Sequence, residues 1–91
     1  MLIQAHILVT GMVQGIGYRF FVTRLAASIG LSGWVKNLPD GRVEITAEGD
    51  RSLIESMIRD LKTGHPYASV KAAAVRWEAW TGKFDGFRVA G

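Results

Sequence analysis

The stretch Gly11-Met12-Val13-Gln14-Gly15-Ile16-Gly17-Tyr18-Arg19 puts three glycines into nine residues, at the seam between a strand pattern and a helical one. Glycine allows positive φ and close backbone approach, so a turn rich in it can aim several N–H groups at one point. A helix starting beside the turn adds its own free N–H groups and the positive end of its dipole. Arg19 stands at that junction, where the dipole disfavours a cation unless an anion shares the site, and its planar fork of donors suits phosphate or carboxylate. The stretch reads as an oxyanion cradle, best suited to a phosphoryl group.

The rest of the chain arranges itself around that seam. Before it, residues 2 to 10 alternate, with Ile3, Ala5, Ile7 and Val9 on one side and Gln4, His6, Leu8 and Thr10 on the other, as in a half-buried strand. After it, Phe21, Val22, Leu25, Ala26 and Ile29 form a helical stripe that Gly30 stops. A strand over 31–38, a Pro39-Asp40-Gly41 turn and a strand with Val43, Ile45 and Ala47 opposite Arg42, Glu44, Thr46 and Glu48 come next. Asp50 or Ser52 caps a second helix with the stripe Ile54, Met57, Ile58 and Leu61, and Ser52 with Glu55 fits a capping box. Residues 69–80 are extended with no clear inward face, and Phe87 and Val89 make a short last strand.

This order, β-α-β-β-α-β plus a fifth strand, predicts an α+β fold: a split β-α-β, ferredoxin-like sandwich, with one mostly antiparallel sheet and both helices on one face. A right-handed first crossover puts the C-terminal ends of the first two strands at the same sheet edge. The cradle is then a neighbour of Asn37. If the fifth strand runs parallel beside the second, Gly91 ends near the cradle, where its carboxylate could pair with Arg19.

Composition narrows the function. The 91 residues fit one domain over 1–91, and 48% hydrophobic with 21% charged residues fits a packed core. With no cysteine there is no disulfide, thiolate nucleophile or Cys-ligated metal, which permits a reducing cytoplasm, the location expected here. No leader pattern and no apolar run near the ~18 residues of a membrane span are present. The net charge of +3 is scattered. It would help draw in a small anion but gives no clustered basic face for nucleic acid. The loop lacks the Lys-Ser/Thr of a nucleotide P-loop and the Gly-x-Gly-x-x-Gly spacing of a dinucleotide site.

The first stretch, with Gly33-Trp34-Val35-Lys36-Asn37, Gly41-Arg42-Val43 and Gly49, resembles the two signatures of the acylphosphatase family, in order and at their separation. Ile16 and Tyr18 are conservative forms of the usual valine and phenylalanine. The resemblance implies hydrolysis of acyl phosphates to carboxylate and inorganic phosphate, without metal or cofactor. It also implies a phosphate-binding loop made by the backbone amides of Gln14, Gly15, Ile16, Gly17, Tyr18 and Arg19. Arg19 would bind the phosphate, and Asn37 would orient the attacking water. Phosphate and other tetrahedral anions would inhibit. The expected partner is a small acyl phosphate, with no nucleic acid or membrane, and the expected state is a monomer.

The runner-up is an RNA- or ligand-binding module on the same fold. An RNA reader would carry exposed aromatics on its central strands, and neither Gln4, His6 and Leu8 nor Glu44 and Thr46 supplies one. A third reading makes the domain an acyl- or carbamoyl-phosphate-handling part of a larger machine. His6 and His65 read as surface or boundary residues, Trp34, Trp77 and Trp80 as packing, and the Glu44–Glu48 face as solvated.

Overall fold

A computed structural model describes residues 1–91. Its elements are β1 (Leu2–Met12), α1 (Tyr18–Ser28), β2 (Ser32–Asn37), β3 (Val43–Asp50), α2 (Arg51–Thr63), β4 (Ser69–Glu78) and β5 (Phe87–Val89). They form one five-stranded sheet in the order β4-β1-β3-β2-β5. Three of its pairings are antiparallel, and β5 runs parallel to β2. This is the sandwich that the element order predicts. β3 lies between β1 and β2 and runs against both, so β1 and β2 are parallel without touching.

Alternation decides which side is covered. Ala5, Ile7 and Val9 of β1, Val35 of β2, and Val43, Ile45 and Ala47 of β3 are all fully buried, together with Val22 and Ala26 of α1 and Ile54, Met57 and Leu61 of α2. α1 packs on β2 and β5, and α2 on β3, β4 and β1. At ~25 cal/mol per Å² of apolar surface, this shared core is the main force holding both helices to one face. β4 joins through Ala73, Val75 and Trp77, the inward set that its alanines hide in the sequence.

Local chemistry sets the boundaries. α1 stops where Gly30, at φ 76°, lets Leu31 N–H return to the Ala26 carbonyl at 3.0 Å. α2 is capped by Asp50, whose carboxylate accepts from Ser52 N–H at 3.0 Å and Ser52 Oγ at 2.6 Å. Ser52 is therefore inside the helix, the Ser52–Glu55 box does not form, and Glu55 faces Arg51 instead. The bonds from Ser52, with the N-terminal ammonium 3.0 Å away, hold the Asp50 carboxyl down at about 2.

The outer face of the sheet corrects one expectation. Thr46 and Glu48 are buried, and Glu44 is only half exposed. The cause is the chain after β4, which crosses this face. Thr81 N–H and Oγ donate to Glu48 at 2.8 Å each, Gly82 N–H at 3.0 Å and Gln4 Nε2 at 2.6 Å. Burial alone would raise the Glu48 pKa, but these bonds outweigh it and leave the carboxyl below its ordinary value. His6 is also half-buried, with Nε2 2.6 Å from Glu44. That contact, helped by Lys36, lowers the Glu44 pKa. Trp77 packs against the core, Trp34 lies under Lys36 on the outer face, and Trp80 is half exposed.

Candidate active site

The loop between β1 and α1 is built by two conformational demands. Gly15 and Gly17 both sit at φ 77°, and a Cβ at either would meet nothing within 4 Å. They are glycines for their dihedral angles, not for lack of space. Gly17 is also the N-cap of α1 and gives it no side-chain cap, and the first turn holds no acidic residue. Phe21 N–H bonds back to the Gly17 carbonyl at 3.0 Å, so regular helical bonding starts there. The amides of Gln14, Gly15, Ile16, Gly17, Tyr18 and Arg19 donate to no backbone or side-chain acceptor. Six successive donors are thus left for a ligand or for water.

Two side chains hold this loop in place. Gln14 Nε2 donates to the Leu38 and Arg42 carbonyls, each at 2.9 Å, tying the loop to the turn between β2 and β3. The buried Tyr18 hydroxyl donates to the Leu61 carbonyl near the end of α2 at 2.8 Å. Burial pushes the Tyr18 pKa well up, so the phenol stays a neutral donor. Neither tether is legible in the sequence, because each acceptor is a main-chain carbonyl more than twenty positions away.

The loop lines a cavity of about 270 Å³ whose walls include Gln14, Gly15, Gly17, Arg19 and Asn37, with Phe20 and Val89 at its sides. Arg19 and Asn37, on different elements, thus line one cavity. The Ile16 side chain does not; it lines the neighbouring groove. Arg19 Nη1 donates to the Gly91 oxygen at 2.6 Å, and Asn37 N–H reaches the same oxygen at 3.2 Å. Gly91 thus lies beside Arg19, as the strand order requires, and meets it through a main-chain oxygen. The Asn37 carboxamide makes no bond to the protein, and its Oδ1 is buried without a donor. No carboxylate or imidazole lines the cavity. His65 packs instead among Tyr18, Phe21 and Tyr67.

A loop of free amides, a guanidinium and a carboxamide around one small cavity is a donor set of the kind a tetrahedral oxyanion needs. The comparisons with known proteins bear on whose site it is. The family model of the acylphosphatases matches residues 5–89.

The chain belongs to the acylphosphatase family.

It is 49% identical over 88 residues to an acylphosphatase of Nostoc sp., covering 97% of this chain and 86% of that one. It is 46% identical to an acylphosphatase of Methylococcus capsulatus, covering 94% of each. The crystal structure of acylphosphatase from Bacillus subtilis superposes over the whole of both chains with a TM-score of 0.93 at 40% identity. The outer face, where an RNA reader would carry its stacking residues, has Trp34 from β2. From β1 and β3 it has His6, Leu8, Thr46 and the carboxylates of Glu44 and Glu48, with Lys36 over Trp34 and Arg76 opposite His6. No helix is long and apolar enough to cross a membrane.

Proposed function

We propose that this acylphosphatase cleaves the bond between phosphorus and the acyl oxygen by in-line attack of a single water. The products are a carboxylate and inorganic phosphate. The phosphoryl oxygens lie on the amides of Gln14 to Arg19, and Arg19 neutralises their charge. The Asn37 Oδ1 accepts from the attacking water and points its lone pair at phosphorus. The observation that carries this reading is one cavity lined by Arg19, Asn37 and the glycine loop, whose amides donate to nothing else in the protein. The Asn37 Oδ1 has no donor in the protein, and an acceptor left so costs ~1–3 kcal/mol and calls for one.

The chemistry asks for nothing further. An acyl phosphate is already activated, and the task is to hold charge and place a nucleophile. With no carboxylate or imidazole on the cavity, the proton of the water passes to a phosphoryl oxygen of the substrate. The carboxylate leaves unprotonated. Phosphate, vanadate and similar tetrahedral anions then compete for the cradle. The reading carries with it a monomer in the cytoplasm, to which the absence of cysteine is suited.

The test is hydrolysis of a simple acyl phosphate by wild type and Arg19→Ala, with inorganic phosphate as competitor. Removing one oriented donor costs ~10²–10³ in rate. Arg19→Ala should lose at least that much kcat/KM and need more phosphate for inhibition. Retention of more than a tenth of wild-type activity would sink the assignment.

A further inference from the structure

Asn37 and the cradle come from separate parts of the chain, and in-line attack needs them held at one distance and one angle. The Asn37 carboxamide has no hydrogen bond within the protein to fix its aim. Its place is inherited from the main chain on either side. Before it, β2 pairs with β3, and Asn37 N–H reaches the Gly91 oxygen. After it comes Leu38, which opens the turn into β3.

Gln14 grips that turn. Leu38 N–H donates to the Arg42 carbonyl at 2.8 Å, and Gly41 N–H to the Leu38 carbonyl at 3.1 Å, which closes the turn. Gln14 Nε2 donates to the same two carbonyls, each at 2.9 Å. A carboxamide nitrogen carries two hydrogens, so both are used, and both find acceptors only while the turn is closed. The same residue belongs to the cradle. Its main-chain N–H donates to nothing in the protein, and it lines the cavity with Arg19 and Asn37. The other tie of the loop, from the Tyr18 hydroxyl to the Leu61 carbonyl, runs to α2 and does not reach the turn.

We infer that the Gln14 side chain is a positioning residue that sets the Asn37 carboxamide against the phosphoryl group, so that its loss lowers turnover through Asn37. The inference rests on the roles proposed above for the cradle and Asn37. Gln14 holds the two halves of the site in register, and the alignment it protects is used in the chemical step. The effect therefore falls on kcat, beyond any weakening of phosphate binding.

The test is a double-mutant cycle on kcat for benzoyl phosphate, with Gln14→Met introduced into wild type and into Asn37→Ala. Methionine keeps the length of the side chain and removes both hydrogens. Gln14→Met should lower kcat about tenfold in wild type and less than twofold in Asn37→Ala, because the aimed group is already gone. The phosphate inhibition constant should rise by the same factor in both backgrounds. Tyr18→Phe, which cuts the other tie, should change kcat by the same factor in both. Equal losses from Gln14→Met in the two backgrounds would make Gln14 a tie of the cradle only, and would leave Arg19 and Asn37 in their roles. A kcat within twofold of wild type in Gln14→Met alone also overturns the inference. The side-chain amide resonances of Asn37 give a reading free of turnover. They should shift or broaden in Gln14→Met and stay in place in Tyr18→Phe, and unchanged resonances in Gln14→Met would refute the brace. If Asn37→Ala itself keeps wild-type turnover, the proposed function fails first and the brace falls with it.

Discussion

Asn37→Ala should separate function from stability, because its side chain makes no hydrogen bond within the protein. The carboxamide makes no hydrogen bond to the protein, and its Oδ1 is buried without a donor. The main-chain bond from Asn37 N–H to Gly91 and the pairing with Val43 do not involve the side chain and survive the change. Alanine therefore removes no hydrogen bond within the protein. Only local packing is lost, so the free energy of unfolding should change by less than about 1 kcal/mol. Turnover should fall much further. Losing the group that aims the water costs about 10²-fold or more, close to 3 kcal/mol of barrier. Phosphate inhibition should change by less than about threefold, under ~0.7 kcal/mol, since Asn37 holds water and not substrate. Urea unfolding at constant m-value, steady-state hydrolysis and phosphate inhibition on the same preparations check all three. A variant that loses activity in step with stability would make Asn37 a structural residue, and one with wild-type turnover would remove its role.

Gln14→Ala cuts the two bonds that tie the cradle to the β2–β3 turn. The Leu38 and Arg42 carbonyls keep partners in Gly41 N–H and Leu38 N–H, so the stability loss should be only ~1–1.5 kcal/mol. The freed loop should bind phosphate more weakly, read as a raised inhibition constant. Glu48→Gln replaces one carboxylate oxygen with an amide donor facing the donors of Thr81, Gly82 or Gln4. It should cost about 2 kcal/mol or more in urea unfolding at neutral pH. Because the folded Glu48 pKa is below its ordinary 4.5, the wild-type advantage is full above about pH 4.5 and fades as pH falls through the folded value. An advantage that grew on acidification would reverse the assigned sign.

How far the sequence reached can be followed residue by residue. Period-two alternation in residues 2–10 and 43–48 marked two central strands, because half-buried sheets force that pattern. The helical stripes located α1 and α2 for the same reason. β4 resisted, since Ala72, Ala73 and Ala74 blur the contrast between faces, and only its pairing with β1 shows that Ala73, Val75 and Trp77 point inward. Glu48 was misread as solvated because its cover arrives from residues 81 and 82, a non-local contact that leaves no local pattern. Arg19 and Asn37 stood out as residue types beside a glycine turn and at a strand end.

The chain's own order of elements was enough to determine the sandwich, the glycine-built amide loop and its helix start, since these follow from dihedral angles and periodicity within a few residues. Folding alone decided that Gln14 and Tyr18 brace the loop from below and that the Asn37 oxygen lies buried without a partner. Each of these is a meeting of groups far apart in sequence, and whether a polar atom finds a partner depends on what the sheet order brings within about 3 Å of it.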